Sequence, residues 1–381
     1  MAGSGAIGSG GASGRHPVAG VPAGDYRAPA WLPGAHAQTI WPALLGRTPA
    51  VAYRRERWSA PDGDFVDLDH AERPAGAPPA LPAGRRPHLA LFHGLEGDSG
   101  SHYARALMAE AIARGCDGTV IHFRGCSGEL NVGPRAYHSG ASDEADWVLR
   151  RLRAARDATG RRGPLLAAGV SLGGNVLLKW LGERGADAGF VAAAAAVSPP
   201  HDLHASAIVL SRGFNRLYGE RFLRTLRRKA LAMLERHPGL YDRARVAASR
   251  DFFDFDELVT APLNGFASAL DYWTRSSCRQ YLPGVAVPTL VLNALNDPFL
   301  PASALAGPHE VSRAVRLEYP AGGGHVGFLA GAPPGRLDWM PRRLFAHYEA
   351  VLGAPLRRGG AAAQPDRSDR SDRPDRPAAP G

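Results

Sequence analysis

The sequence predicts an α/β protein: a mostly parallel central sheet flanked by helices, with a helical cap inserted ahead of one of its last strands. Three observations carry that prediction. Short apolar runs alternate with helix-like stretches along most of the chain, the mark of successive strand–helix–strand units. Those runs are apolar at every position, as strands covered by helices on both faces must be. One stretch, 199–283, breaks the alternation with helical patterns and aromatics and contains no convincing strand.

The elements follow in order. Residues 51–58 and 65–69 read as an antiparallel hairpin ahead of the parallel part, and 71–87 is a loop rich in Pro, Ala and Gly. Residues 88–92 (HLALF), 118–123 (GTVIHF), 165–170, 190–197 and 289–293 read as buried strands, with a further strand-like run at 314–319. Helical patterns at 102–114, 142–156 and 172–184 lie between them, and 216–237 and 266–281 carry the helical patterns of the insertion. Ligands bind at the carboxyl edge of such sheets, so the insertion is expected to roof that edge. The core is therefore assigned to 26–198 and 284–356 and the cap to 199–283. Residues 1–25, rich in Gly, Ala and Ser, and 357–381, which alternate Asp and Arg among Pro and Ala, are expected to be disordered.

Composition excludes several function classes. The chain of 381 residues carries a net charge of +9, but its arginines form no aromatic-interleaved stripe, which argues against nucleic acid as a partner. A basic surface facing anionic lipid is compatible with the charge. Three cysteines, Cys116, Cys126 and Cys278, are too few and odd in number for a disulfide framework and suit a reducing compartment. No signal-peptide core or bilayer-length apolar run is found in the sequence, so a cytoplasmic protein without an integral membrane segment is expected. No HExxH, CxxC or paired-carboxylate spacing suggests a metal, and no phosphate-binding glycine loop follows a strand. No cofactor is expected.

The chemistry is carried by PLLAAGVSLGGN at 164–175. An apolar strand runs into Gly169-Val170-Ser171-Leu172-Gly173 and then into a helix. This is the GxSxG elbow, in which glycines allow a turn tight enough to lift a serine hydroxyl clear of the sheet. With 46 glycines in the chain, the pentapeptide alone is weak, and its context must decide. A serine on such an elbow needs an acid and then a histidine later in the chain. Asp297 is the one carboxylate in the loop after strand 289–293. It can orient and stabilise an imidazolium, or merely form an Asx turn before Pro298. His325 sits in GGGHVGF at 322–328, where flanking glycines let the backbone bring its ring onto the serine. An oxyanion hole needs two backbone N–H groups: Leu172, directly after the serine, supplies one, and Leu95 in the turn FHGLEG the other. His93 in that turn reads as a residue that ties the loop down. His36 and His138 read as structural or pocket-lining, and Cys126 as a small residue in a tight turn.

With these residues in place, the chain resembles the YheT-like branch of the α/β-hydrolases, relatives of the abhydrolase-domain lipases. Seven ordered blocks carry the resemblance: WLPGAHAQTIWPAL, HGLEGDSGSHY, FRGCSGELN followed by AYHSG, GVSLGGNVLLKWLGE, FDELVTAPLNGFASALDYW, NALNDPFLP and GGGHVGF. The resemblance implies an α/β-hydrolase fold and a triad of Ser171, Asp297 and His325. Many members carry two adjacent carboxylates in the acid loop; here the first position is Asn296, which leaves Asp297. It also implies a small-molecule partner, a carboxylic acyl ester of short to medium chain or an acylglycerol, cleaved through an acyl-enzyme. Phe214, Phe222, Phe266 and Tyr272 of the cap are expected to line an acyl tunnel, or to pack the cap on the sheet. Two other readings stay open: an acyltransferase that uses an alcohol in place of water, and a non-catalytic binding module. Residues 30–45, with Trp31 and Trp41, are read as core packing or as a peripheral lipid contact. Oligomeric state is not legible.

Overall fold

The computed structural model describes residues 25–75 and 81–356; the two ends expected to be disordered lie outside the described residues, Asp25 and the segment's border excepted. Helix α1 (Ala35–Leu44) precedes the hairpin β1 (Tyr53–Ser59) and β2 (Phe65–Ala71). Then come β3 (His88–Phe92), α2 (His102–Ala113), β4 (Asp117–Ile121), α3 (Ser142–Ala158), β5 (Leu165–Val170), α4 (Leu172–Arg184) and β6 (Val191–Val197). The strands form one eight-stranded sheet that is completed by β7 (Thr289–Leu292) and β8 (Val315–Glu318), in the order β1-β2-β4-β3-β5-β6-β7-β8. Only the β1–β2 and β2–β4 pairings are antiparallel. All others are parallel, with β5 central and registered through Leu91↔Ala168 to β3 and Ala168↔Ala195 to β6.

The period-two rule explains the continuous apolar runs. Along β3 and β5, Ala90, Phe92, Leu165 and Ala167 face the layer that contains α3 and α4, with Leu149 and Trp180. Leu89, Leu91, Leu166 and Ala168 face the opposite layer, with Leu107 of α2 and Phe345 of α11 (Trp339–Leu352). Both faces are buried, so neither can be polar.

The insertion between β6 and β7 contains helices joined by turns and no strand: α5 (Leu203–Leu210), α6 (Arg216–Arg236), α7 (Arg243–Ala248), α8 (Phe252–Phe255), a π-helical turn (Asp256–Thr260), α9 (Ala261–Leu263) and α10 (Ala269–Ser276). It packs as separate small clusters around Leu203, Tyr272 and Trp273 and around Leu223, Val246 and Phe255. A 3₁₀ segment, Cys278–Gly284, returns the chain to the core. The helical reading of 266–281 is shorter than expected, because Ser268 caps α10 through the Asp271 N–H and Ser277 leaves the helix extended.

Candidate active site

Ser171 lies between the end of β5 and the first residue of α4, at φ 53° and ψ −121°. A non-glycine residue held there is strained, and such strain persists only where the surroundings over-determine it. Here Ser171 N–H donates to Val197 O at 2.8 Å and Ser171 O accepts from Asn175 N–H at 3.0 Å. The flanking glycines are required by close backbone approach: a side chain on Gly173 would collide with the carbonyls of Phe92 and His93, and one on Gly169 with Gly173 itself.

The loop after β7 carries Asp297, which is 7% exposed. Its Oδ1 accepts from the Phe299 N–H at 2.8 Å and its Oδ2 from His325 Nδ1–H at 2.8 Å. The Asx turn fixes one oxygen, and the other meets the histidine. With its Nδ1 proton committed, His325 accepts at Nε2 from the Ser171 hydroxyl, 2.9 Å away. One hydrogen-bonded chain therefore runs Asp297–His325–Ser171, across the ends of β5 and β7 and the loop after β8.

The turn after β3 faces the serine from the other side. Gly94 N–H donates to Tyr103 Oη at 2.8 Å, while the Leu95 N–H has no acceptor among the described residues. The Leu172 N–H is the first of the orphan amides at the α4 N-terminus. Leu95, Leu172, Ser171 and His325 line one cavity. His93 does tie the turn down: it is fully buried, bonds the Gly94 carbonyl through Nδ1 and accepts from Phe123 N–H through Nε2. Burial holds its imidazole down at about 3, so it stays neutral. Burial also pushes the Cys126 thiol up to about 12, which leaves no thiolate to act as a nucleophile. His138 is likewise held at about 3.

The roof of the cavity comes from the cap. Phe222 and Tyr272 line it, together with Leu203, Phe252 and Trp273. Phe214 and Phe266 do not line it. Phe214 precedes α6 on the outside, 51% exposed, with its ring against His36. Phe266 sits beneath the Arg275 guanidinium, beside a second, polar cavity. Phe214 lies in a one-turn 3₁₀ helix (Gly213–Asn215) and Phe266 in a connection between helices, and neither is long enough for periodicity to give a facing direction.

Several contributors are not visible in motif reasoning. Gln38 Oε1 accepts from Gly323 N–H at 2.8 Å and from Asn296 Nδ2 at 2.9 Å, and Thr39 Oγ1 accepts from His325 N–H at 2.9 Å. Helix α1 thus pins the histidine loop. Asn296 in turn accepts from Gly324 N–H at 3.0 Å. Phe299 stacks on the His325 ring at 4.1 Å between centroids. Lys229 of α6 reaches down to Glu96 Oε1 at 2.7 Å, where Tyr137 Oη also donates at 2.8 Å. Asp256 lines the cavity in the π-helical turn, accepting from Thr260 Oγ1 and Trp273 Nε1; burial raises its carboxyl to about 6.

A family model described as the alpha/beta hydrolase fold matches residues 87–332. The chain belongs to the α/β-hydrolase family. It is 38% identical over 311 residues to YheT of Escherichia coli (strain K12), a protein provisionally named an esterase, covering 81% of this chain and 88% of that one. It is 30% identical over 334 residues to the phospholipase ABHD3 of Mus musculus, covering 86% and 79%. Among solved structures, a fungal esterase from Rhizomucor miehei superposes with a TM-score of 0.50 at 16% identity, over 86% of this chain and 93% of that one, a likeness of fold alone. Among the described residues of this α/β hydrolase, no helix is long and apolar enough to cross a membrane.

Proposed function

We propose that the protein cleaves carboxylic acyl esters, of short to medium chain or acylglycerols, through an acyl-enzyme on Ser171. Its class, that of the esterases and lipases, follows from its family and relatives; the roles of the residues are our reading. The observation that carries them is the unbroken hydrogen-bonded chain from Asp297 through His325 to Ser171 at the floor of one cavity.

His325 takes the serine proton as Oγ attacks the ester carbonyl. The N–H groups of Leu95 and Leu172 receive the oxyanion, and Asp297 stabilises the imidazolium. His325 then protonates the departing alcohol, and water repeats the sequence on the acyl-enzyme. Phe222 and Tyr272 face the acyl chain. We divide the chain as core at 26–198 and 284–356 and cap at 199–283. We assign it to the cytoplasm, a location supported by its three free cysteines.

The test is hydrolysis of a chain-length series of p-nitrophenyl esters by the protein and by Ser171→Ala. The expected loss is about 10⁴-fold or more, with an unchanged melting temperature and no labelling of the variant by a fluorophosphonate. Comparable turnover by both proteins would overturn the assignment. Ester formation from added alcohol in preference to hydrolysis would turn the reading to acyl transfer.

A further inference from the structure

The charge of this chain is not spread evenly. Between 203 and 250, eleven Lys and Arg face three Asp and Glu, a net +8 within a chain of +9. The second half of the cap, 251–284, has the opposite sign, with five acids against two arginines. An arginine-rich composition alone would not segregate the charges in this way.

Helix α6 organises the basic half. Its inner face carries Phe222, Leu226, Lys229 and Met233, all lining the cavity above Ser171. On its outer face Leu217, Arg221, Arg224 and Arg228 are exposed and spaced four, three and four residues apart, which puts them in one stripe. Among the described residues, Arg221, Arg224 and Arg228 have no carboxylate partner, and neither do Arg212, Arg216 or Arg245. At the N-terminal end of the stripe two large apolar side chains stand out to solvent, its own Leu217 at 62% and the nearby Phe214 at 51%.

We infer that the outer face of α6 docks on an anionic lipid surface and sets the roof of the cavity against the bilayer. The inference rests on the ester-hydrolase reading for its substrate, and only there. A cluster of four to eight unpaired cations is what anionic headgroups attract, and exposed Leu and Phe beside it can enter the headgroup boundary. Because one helix carries both faces, docking puts the acyl cavity one helix diameter from the lipid. An acyl ester can then pass from bilayer to cavity with little exposure to water.

The test is co-sedimentation of the full-length protein with phosphatidylcholine vesicles, with and without phosphatidylglycerol. Binding is expected only with phosphatidylglycerol, and it should weaken as salt rises. Each cation near such a surface contributes about fivefold to partitioning. The combined Arg221→Glu, Arg224→Glu, Arg228→Glu variant should therefore lose more than about 100-fold, with hydrolysis of a soluble short-chain ester unchanged. The matching triple Gln variant, which removes charge without reversing it, should fall between. Equal binding to both vesicles, equal binding by the wild type and the Glu variant, or retention on duplex DNA without vesicle binding would each overturn the inference. Ser171→Ala separates the two readings: vesicle binding by a protein that cleaves no ester supports docking and sinks only the hydrolase reading.

Discussion

The floor and the roof of the cavity are built on different principles. The floor is held by backbone and short hydrogen bonds at the ends of parallel strands, where Ser171, Asp297 and His325 meet at 2.8–2.9 Å. Around them Gln38, Thr39 and Asn296 fix the histidine loop by its amides. The roof is held by small apolar clusters and a few polar ties, such as Lys229 to Glu96. Chemistry that depends on sub-ångström placement needs the first kind of support. A surface that must admit chains of varied length tolerates the second. Changes in the supports of the floor should therefore act on kcat, and changes in the roof chiefly on KM and chain-length preference.

The largest effect that breaks this comparison is expected at Gln38→Ala. It frees the Gly323 amide and the Asn296 side chain together, and both hold the loop that carries His325. kcat on a soluble ester should fall by about 10- to 100-fold, the usual result of a small misplacement near the chemistry, with KM unchanged. Parallel chain-length profiles of the two proteins would check it. A rise in KM with kcat intact would mean that α1 serves substrate binding and not the histidine.

Lys229→Met tests a tie that joins roof to floor beside the serine. Lys229 belongs to α6, yet its ammonium meets Glu96, the neighbour of the Leu95 amide. Glu96 has a positive φ of 55°, so its turn is strained and depends on Tyr137 and Lys229 to hold it. The Leu95 N–H remains in the variant, so the fall in kcat should stay below the roughly 10²–10³-fold of a lost oxyanion donor. KM should rise as well. An unaltered kcat would show that the tie secures the cap alone.

The same division explains what the sequence makes legible. Strands β3 and β5 and helix α4 are readable to the residue, because each strand is an apolar run that starts directly after a proline, Pro87 or Pro164, and β5 passes into α4 at the Ser171 elbow. Asp297 and His325, which the fold brings to Ser171, are readable because each sits alone of its kind in a loop after a strand. The supports are not. Gln38 and Thr39 stand some 285 residues from the amides they hold, and no local period links them. In the cap, α5 and α7–α9 are short and joined by turns, so facing direction is lost at each joint. That is why Phe222, within the long α6, is readable as facing the cavity while Phe214, in a single 3₁₀ turn, and Phe266, in a connection, are not. The charge segregation is legible in the sequence, but it gains meaning only when α6 is seen to carry cavity and cations on opposite faces.

The smallest expected effect concerns the roof alone. Among the described residues Asp256 has no cationic partner; its two oxygens are met by Thr260 and Trp273, and burial raises its carboxyl from 3.8 to about 6. A carboxyl with a raised folded-state value favours folding while it is protonated. Its contribution is complete below about pH 4, where both states hold the proton, and is lost as pH rises through about 6. The cap should thus be weaker at neutral pH than at pH 5 by about 1 kcal/mol from this group. Asp256→Asn keeps the shape and the acceptor for Trp273 and removes the titration. Thermal melts across pH 4–7 should show a decline in the wild type that is flattened in the variant, while kcat on a short soluble ester stays the same in both. A decline of equal slope in the two proteins would assign the pH dependence to another group. A parallel loss of kcat in Asp256→Asn would mean that roof and floor are coupled more tightly than their construction suggests.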